Sequence, residues 1–181
     1  MRFNELQKVL NELPQIQVIK LIKGLHDLSP QNKVWLQRQL FPDYNNVEYL
    51  EACRKKVIKA VFDPARVIPK NPLFKEAKKV ISEYNKSTND LCGTLDLMLT
   101  YVERGHAFTN AFGDIDEPFY TALINMLGKF SSELMTDKDG EKLYALFRDR
   151  LMDILDSSDI GWGYGDFIRH TVDGLDKIFG E

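Results

Sequence analysis

The sequence predicts an all-α protein, a compact array of about nine antiparallel helices. Three observations carry that reading. Apolar residues recur at intervals of three and four along most of the chain. Each proline falls at the start of a periodic segment or between two of them, and none falls within one. No window of four to eight residues alternates apolar with polar in the manner of a strand. The 181 residues read as a single helical domain, 1–181, with a proline-rich loop at 63–72 between the N-terminal and central helices. Successive helix pairs allow a short solenoid-like superhelix, although no repeat of fixed period is present.

The elements follow in order. Leu6, Val9, Leu10 and Leu13 share one face of a first helix, with Asn4 as its expected N-cap. Pro14 starts a second, with Ile16, Ile19, Ile22 and Leu25 as its buried stripe. Ser29-Pro30 is a cap followed by proline at the first helical position, where a missing N–H costs nothing. That third helix is expected to end at Pro42. A fourth, from about Tyr44 to Phe62, buries Leu50, Val57, Ile58 and Val61. Asn71-Pro72 repeats the cap-plus-proline start before Leu73, Phe74, Ala77, Val80, Ile81 and Tyr84. The next helix, from about Thr88, buries Leu91, Leu95, Met98, Leu99 and Val102, and Gly105 is expected to break or kink it. Asp116-Glu117-Pro118 opens a helix carrying Phe119, Leu123, Met126, Leu127 and Phe130. Another begins near Asp139-Gly140 and carries Leu143, Phe147, Leu151, Ile154 and Leu155. A glycine-rich turn at 161–165 precedes the last, with Phe167, Ile168, Leu175 and Ile178.

Composition narrows the function classes. Apolar residues make up 44% of the chain and charged residues 28%, an ordinary globular balance that leaves no room for disorder or low complexity. No apolar run approaches the ~20 residues of a membrane span, and the N-terminus lacks the apolar core of a signal peptide. Cys53 and Cys92 are too few and too far apart for a zinc site or a disulfide framework; they read as free thiols in the cytoplasm. The net charge of −3 hides an asymmetry: residues 1–50 carry +1, residues 51–90 carry +5 and residues 91–181 carry −9. A field of that kind steers charged partners without fixing a fold.

Three features could carry chemistry. In Tyr101–Tyr120, His106 precedes Asp114, Asp116 and Glu117. Those carboxylates could hold a hard cation, or one of them could form an acid–base pair with His106. The alternative is architectural: Asp116 caps a helix, Glu117 favours its positive end, and Phe108, Phe112 and Phe119 are core. In Gly161-Trp162-Gly163-Tyr164-Gly165-Asp166, two aromatics between glycines could form a recognition surface, or a tight turn with Trp162 packed and Asp166 capping the last helix. Its spacing is not that of a phosphate-binding glycine loop. The third feature is the basic stretch 54–86, in which Lys55 and Lys59 share a helix face, as do Lys75 and Lys79, with Lys78 also a candidate of this basic face. Such a face contacts phosphates or is simply solvated. Asp137–Asp139 is no EF-hand, because Met135 and Leu146 would occupy essential ligand positions. Walker A, HExxH and GxSxG patterns are absent. His26 and His170 read as ordinary helix residues.

The run Tyr101-Val-Glu103…Phe108-Thr109-Asn110…Gly113-Asp114-Ile115-Asp116-Glu117-Pro118-Phe119-Tyr120, together with Ile160-Gly161-Trp162-Gly163 and Ala77-Lys78-Lys79-Val80-Ile81, resembles an uncharacterised bacterial all-helical family of unknown function. The resemblance covers most of the chain and departs at Tyr164-Gly165. It implies a helical cytoplasmic protein and brings no activity, cofactor or catalytic residue.

The reading that follows is a non-enzymatic module that binds a protein partner, with the Trp162/Tyr164 turn as a possible anchor. Two alternatives stand beside it. One is nucleic-acid association through the basic face. The other is a metal-dependent or acid–base site where the two motifs meet, with His106, Asp114, Asp116 and Glu117 facing Trp162, Tyr164 and Asp166. No cofactor, metal or membrane partner is expected.

Overall fold

The computed structural model describes residues 2–41, 46–65, 71–156, 161 and 163–180. Among these the protein is all-helical, as expected, with nine helices and no strand. They are α1 (Phe3–Glu12), α2 (Gln15–Leu28), α3 (Pro30–Leu40), α4 (Val47–Val61), α5 (Phe74–Thr88), α6 (Leu91–Phe112), α7 (Glu117–Thr136), α8 (Gly140–Asp156) and α9 (Tyr164–Phe179). Pro42, Tyr44, Arg66, Lys70 and Trp162 lie outside the described residues. The helices group into two compact units, Met1–Asn46 with Lys86–Thr88, and Val47–Asn85 with Asn89–Glu181.

The first unit is α1–α3, with α2 packed on α3. Its helix starts are chemically explicit. Ser29 Oγ accepts the Asn32 N–H at 3.1 Å, and Pro30 occupies the first helical position. The α1 cap differs from expectation: Arg2, not Asn4, is the N-cap residue, and the Glu5 carboxylate accepts the Arg2 N–H at 3.0 Å. A larger difference concerns burial. The stripe of α2 is helical but not covered: Ile16, Ile19, Ile22 and Leu25 are all exposed. Within α1–α3 only Val34 is buried.

The second unit holds the core. At its centre is α6, which packs on α4, α7 and α8, while α9 packs on α7 and α8. Leu95, Leu97, Met98, Leu99, Tyr101 and Val102 are buried on successive positions of α6, so this helix is covered nearly all round. A helix so placed needs an apolar composition without a polar face, which its first twelve residues have: Asp96 is the one charged side chain between Leu91 and Val102. Buried hydroxyls on α6 are satisfied locally, Thr94 on the Asp90 carbonyl at 2.7 Å and Thr100 on the Asp96 carbonyl at 2.8 Å. The predicted stripe of α7 (Phe119, Leu123, Met126, Leu127, Phe130) is buried throughout, as are Phe147, Leu151 and Ile154 of α8 and Ile168 and Leu175 of α9, whereas Ile178 is exposed.

Two local expectations are corrected. Gly105 does not break α6, which is continuous from Leu91 to Phe112. A side chain at that position would collide with Leu123 of α7, so glycine serves close helix packing there. And α5 starts at Phe74, not at Asn71-Pro72. The Leu73 N–H donates to the Ala60 carbonyl at 2.7 Å, tying the chain to the end of α4 before the helix begins.

Candidate functional site

The two sequence motifs meet where the end of α6, the turn into α7 and the start of α9 come together. Gly113 ends α6 at φ +86, a left-handed conformation suited to glycine. The turn is then fixed by Tyr120. Its hydroxyl donates to Asp114 Oδ1 at 2.6 Å, accepts the Ile115 N–H at 3.3 Å and lies 2.7 Å from Thr109 Oγ1. The Tyr164 ring packs on the rings of Tyr120 and His106, with centroids 5.6 Å and 5.9 Å away. Gly161 approaches Asp114 so closely that a Cβ there would come within 3.0 Å of the carboxylate. A larger residue at 161 would push the Asp114 carboxylate aside by a few tenths of an ångström.

Each predicted residue but Trp162, which lies outside the described residues, has a definite place. His106 is buried, with Nε2 3.0 Å from Asn110 Nδ2, and burial lowers its pKa, which favours the neutral ring. Asp114 is exposed and engaged by Tyr120. Asp116 is the N-cap of α7, its Oδ1 accepting the Phe119 N–H at 3.0 Å. Glu117 is the exposed first residue of that helix. Phe108 and Phe119 are core as expected, whereas Phe112 is half exposed while still touching Phe62 and Phe108. Tyr164 is fully buried, so it is no recognition surface, and burial raises its phenol pKa. The cap of α9 is Gly163 in the left-handed region, not Asp166, which sits exposed in the first turn. The junction thus unites His106, Asp114, Tyr120 and Tyr164 and leaves Asp116, Glu117 and Asp166 on helix starts. Among the described residues, no group of three or more His, Cys, Asp and Glu side chains is arranged to hold a metal ion. The Asp114–Tyr120 pair and the Asp116 cap hold the turn in shape.

Sequence reasoning missed a second polar cluster. Asp96 of α6 accepts Arg54 of α4 on Oδ2 (Nη2 at 2.7 Å, Nε at 3.0 Å) and Arg150 of α8 on Oδ1 at 2.7 Å. Arg150 also grips Glu103 in a bidentate pair at 2.7 and 2.8 Å, and Arg54 pairs with Glu51. The signal was legible. A lone carboxylate in an otherwise uncharged stretch of helix needs a cation once buried, and Glu103 follows it at i+7 on the same face.

The basic residues lie where expected on helices α4 and α5. Lys55, Lys59, Lys75, Lys78 and Lys79 are all exposed. Lys79 Nζ is 3.8 Å from Glu83, and Lys78 Nζ is 6.0 Å from the Tyr101 ring centroid.

The N-terminal helices expose many large apolar side chains. Phe3, Val9, Ile16, Ile19, Leu21, Ile22, Leu25, Leu28, Trp35, Leu40 and Phe41 are exposed, eleven of the seventeen large apolar side chains exposed among the described residues. Single exposed leucines are ordinary, but here eleven large apolar side chains are exposed within the first 41 residues.

No family model, no curated protein and no solved structure matches the chain. No helix of the described residues is long and apolar enough to cross a membrane.

Proposed function

We propose that this chain is a non-enzymatic protein-interaction module of the cytoplasm that docks its partner on the apolar surface of α1–α3. The single observation that carries the reading is the mismatch between pattern and burial in that unit. Its helices have amphipathic stripes, yet Val34 is the one buried residue among eleven exposed large apolar side chains. Helices of 10 to 14 residues are marginal in water without a covered face, and fully covering each such side chain is worth about 1.5–3 kcal/mol. A partner that lays an apolar surface on α1–α3 supplies the missing cover. The anchor is therefore assigned to the N-terminal helices and not to the 161–165 turn, since Tyr164 is buried. Free Cys53 and Cys92 accord with a reducing compartment.

The test replaces Ile19, Ile22 and Leu25 together with serine. Affinity capture from the native host, followed by mass spectrometry, is compared between the two proteins. The reading expects a defined partner, or a second copy of the chain, retained by the wild type and lost from the variant while the variant's thermal melt is retained. A partner set unchanged by the triple substitution would overturn it.

A further inference from the structure

We infer that the partner docked on α1–α3 is a second copy of this chain, joined through α2 in an antiparallel, two-fold symmetric pair. The inference rests on the docking reading above and names its occupant. Leu21, Gly24, Leu25 and Leu28 fall at i, i+3, i+4 and i+7, which is one stripe of a helix. All four are exposed. Cover within the chain falls beside this stripe: Val18 and His26, at i and i+8, are the partly buried positions of α2.

The stripe has the same spacing from either end. An isologous two-fold contact pairs residue i with j and j with i. With the two-fold between Gly24 and Leu25, Leu21 faces Leu28 of the second copy and Gly24 faces Leu25 of the second copy. Each Leu25 then enters the gap over the opposite Gly24, as a knob enters a hole. A Cβ added at Gly24 would meet nothing within 4 Å, so that gap is open. Glycine weakens a helix interior, and Gly24 is not among the glycines of positive φ. Close approach by a second helix is what gives it a use. A parallel pair would set Gly24 beside Gly24 and leave the gap unfilled.

Charge agrees with this orientation. Lys20 and Asp27 lie four residues before and three residues after Gly24, so both stand on one flank of the stripe. The two-fold keeps that flank of both copies on the same side. It brings Lys20 within about 3 Å of rise of the second copy's Asp27, and the symmetric pair forms at the other end. The charges nearest the stripe therefore meet the opposite sign. α2 has 14 residues and is about 21 Å long, so it covers less than the ~800 Å² per partner of a tight complex. The dimer is accordingly reversible.

The test is sedimentation equilibrium of the full chain over a wide range of concentration. A monomer–dimer equilibrium with a dissociation constant on the order of 10–100 μM is expected. Gly24→Gln should raise that constant at least about tenfold although glutamine is the better helix former, because it fills the gap. Leu21→Ser/Leu28→Ser should do the same. Gly174→Gln on α9, where an added Cβ also meets nothing within 4 Å, should stay within about threefold. Circular dichroism checks that each variant folds. Orientation is read in a Cys92→Ser background by mild oxidation. Leu21→Cys chains mixed with Leu28→Cys chains should form a mixed disulfide, and each alone should form far less. Self-linked Leu21→Cys chains in equal yield overturn the antiparallel pair, and a dimer indifferent to Gly24→Gln and to Leu21→Ser/Leu28→Ser overturns the inference. A chain monomeric throughout overturns it as well. If capture from the host then still recovers a different protein that Ile19→Ser/Ile22→Ser/Leu25→Ser loses, the docking reading stands without this inference. If capture is unchanged by that substitution, both fall. Phosphatidylserine–phosphatidylcholine vesicles that bind the monomeric chain and release it on Leu21→Ser/Leu28→Ser overturn the inference in favour of a lipid surface.

Discussion

Arg150 of α8 reaches Asp96 of α6 at 2.7 Å, on the carboxylate oxygen that Arg54 of α4 leaves free. One aspartate thereby joins three helices. Its side chain is 14% exposed and those of the arginines about 30%, so the three charges are held in a poorly hydrated seam where losing one strands the others.

Asp96→Ala leaves two guanidinium groups without their shared acceptor. The expected cost is about 2–3 kcal/mol, below the ~3–5 kcal/mol of a fully buried pair because the arginines keep some water. Urea unfolding measures it. The double variant Asp96→Ala/Arg150→Met should cost less than the two single changes together, and strict additivity would show that the pair is not coupled.

Gly105→Ala should destabilise the protein despite the better helix propensity of alanine. Propensity favours alanine by about 1 kcal/mol, but the new methyl meets Leu123 in a packed core, where overpacking costs about 1–3 kcal/mol. Combining it with Leu123→Val should recover part of the loss. A Gly105→Ala protein that is more stable than wild type would show that the contact yields easily.

Tyr164→Phe is expected to be neutral or stabilising, by up to about 1 kcal/mol. The Tyr164 hydroxyl is buried without a hydrogen-bond partner among the described residues, and an unsatisfied buried hydroxyl costs free energy that its removal returns. A clear loss of stability in the thermal melt would mean that the hydroxyl has a partner in solution.

Burial lowers the His106 pKa, so the unfolded chain takes up this proton before the folded one does. Its contribution to stability is complete above the unfolded value of about 6.5 and is lost as pH falls through that value towards the lowered folded pKa. The slope reaches at most about 1.4 kcal/mol per pH unit. Urea midpoints at pH 7.5, 6.5 and 5.5 should fall more steeply for the wild type than for His106→Phe. Parallel slopes would contradict the assignment.

How much of this was legible in the sequence depends on what each residue answers to. The stripe of α7 was readable from Phe119 to Phe130 because period and burial coincide there. In α2 the same kind of stripe gave the helix but not its environment, since Ile16 to Leu25 report which face is apolar and not what covers it. Gly105 read as a break because local propensity is all a sequence displays, whereas Leu123, eighteen residues on, decides its role. Asp116 announced itself as a cap through its neighbours Glu117 and Pro118. Asp114 did not announce Tyr120, and the glycines around Tyr164 fitted a recognition surface and a tight turn alike, so its burial against His106 and Tyr120 was not readable. Asp96 was visible as a lone charge, but its partners Arg54 and Arg150 are 42 and 54 residues away, beyond any local pattern.

The central claim, that α1–α3 form the docking surface, is tested most directly by a photo-reactive amino acid placed at Leu25 in the living host. Leu146 of α8, exposed to a similar degree, is the control position. The claim predicts one discrete protein adduct from position 25, to another protein or to a second copy of the chain, that is absent from position 146. The same adducts from both positions, or none from position 25 when the protein is expressed at its native level, would contradict it.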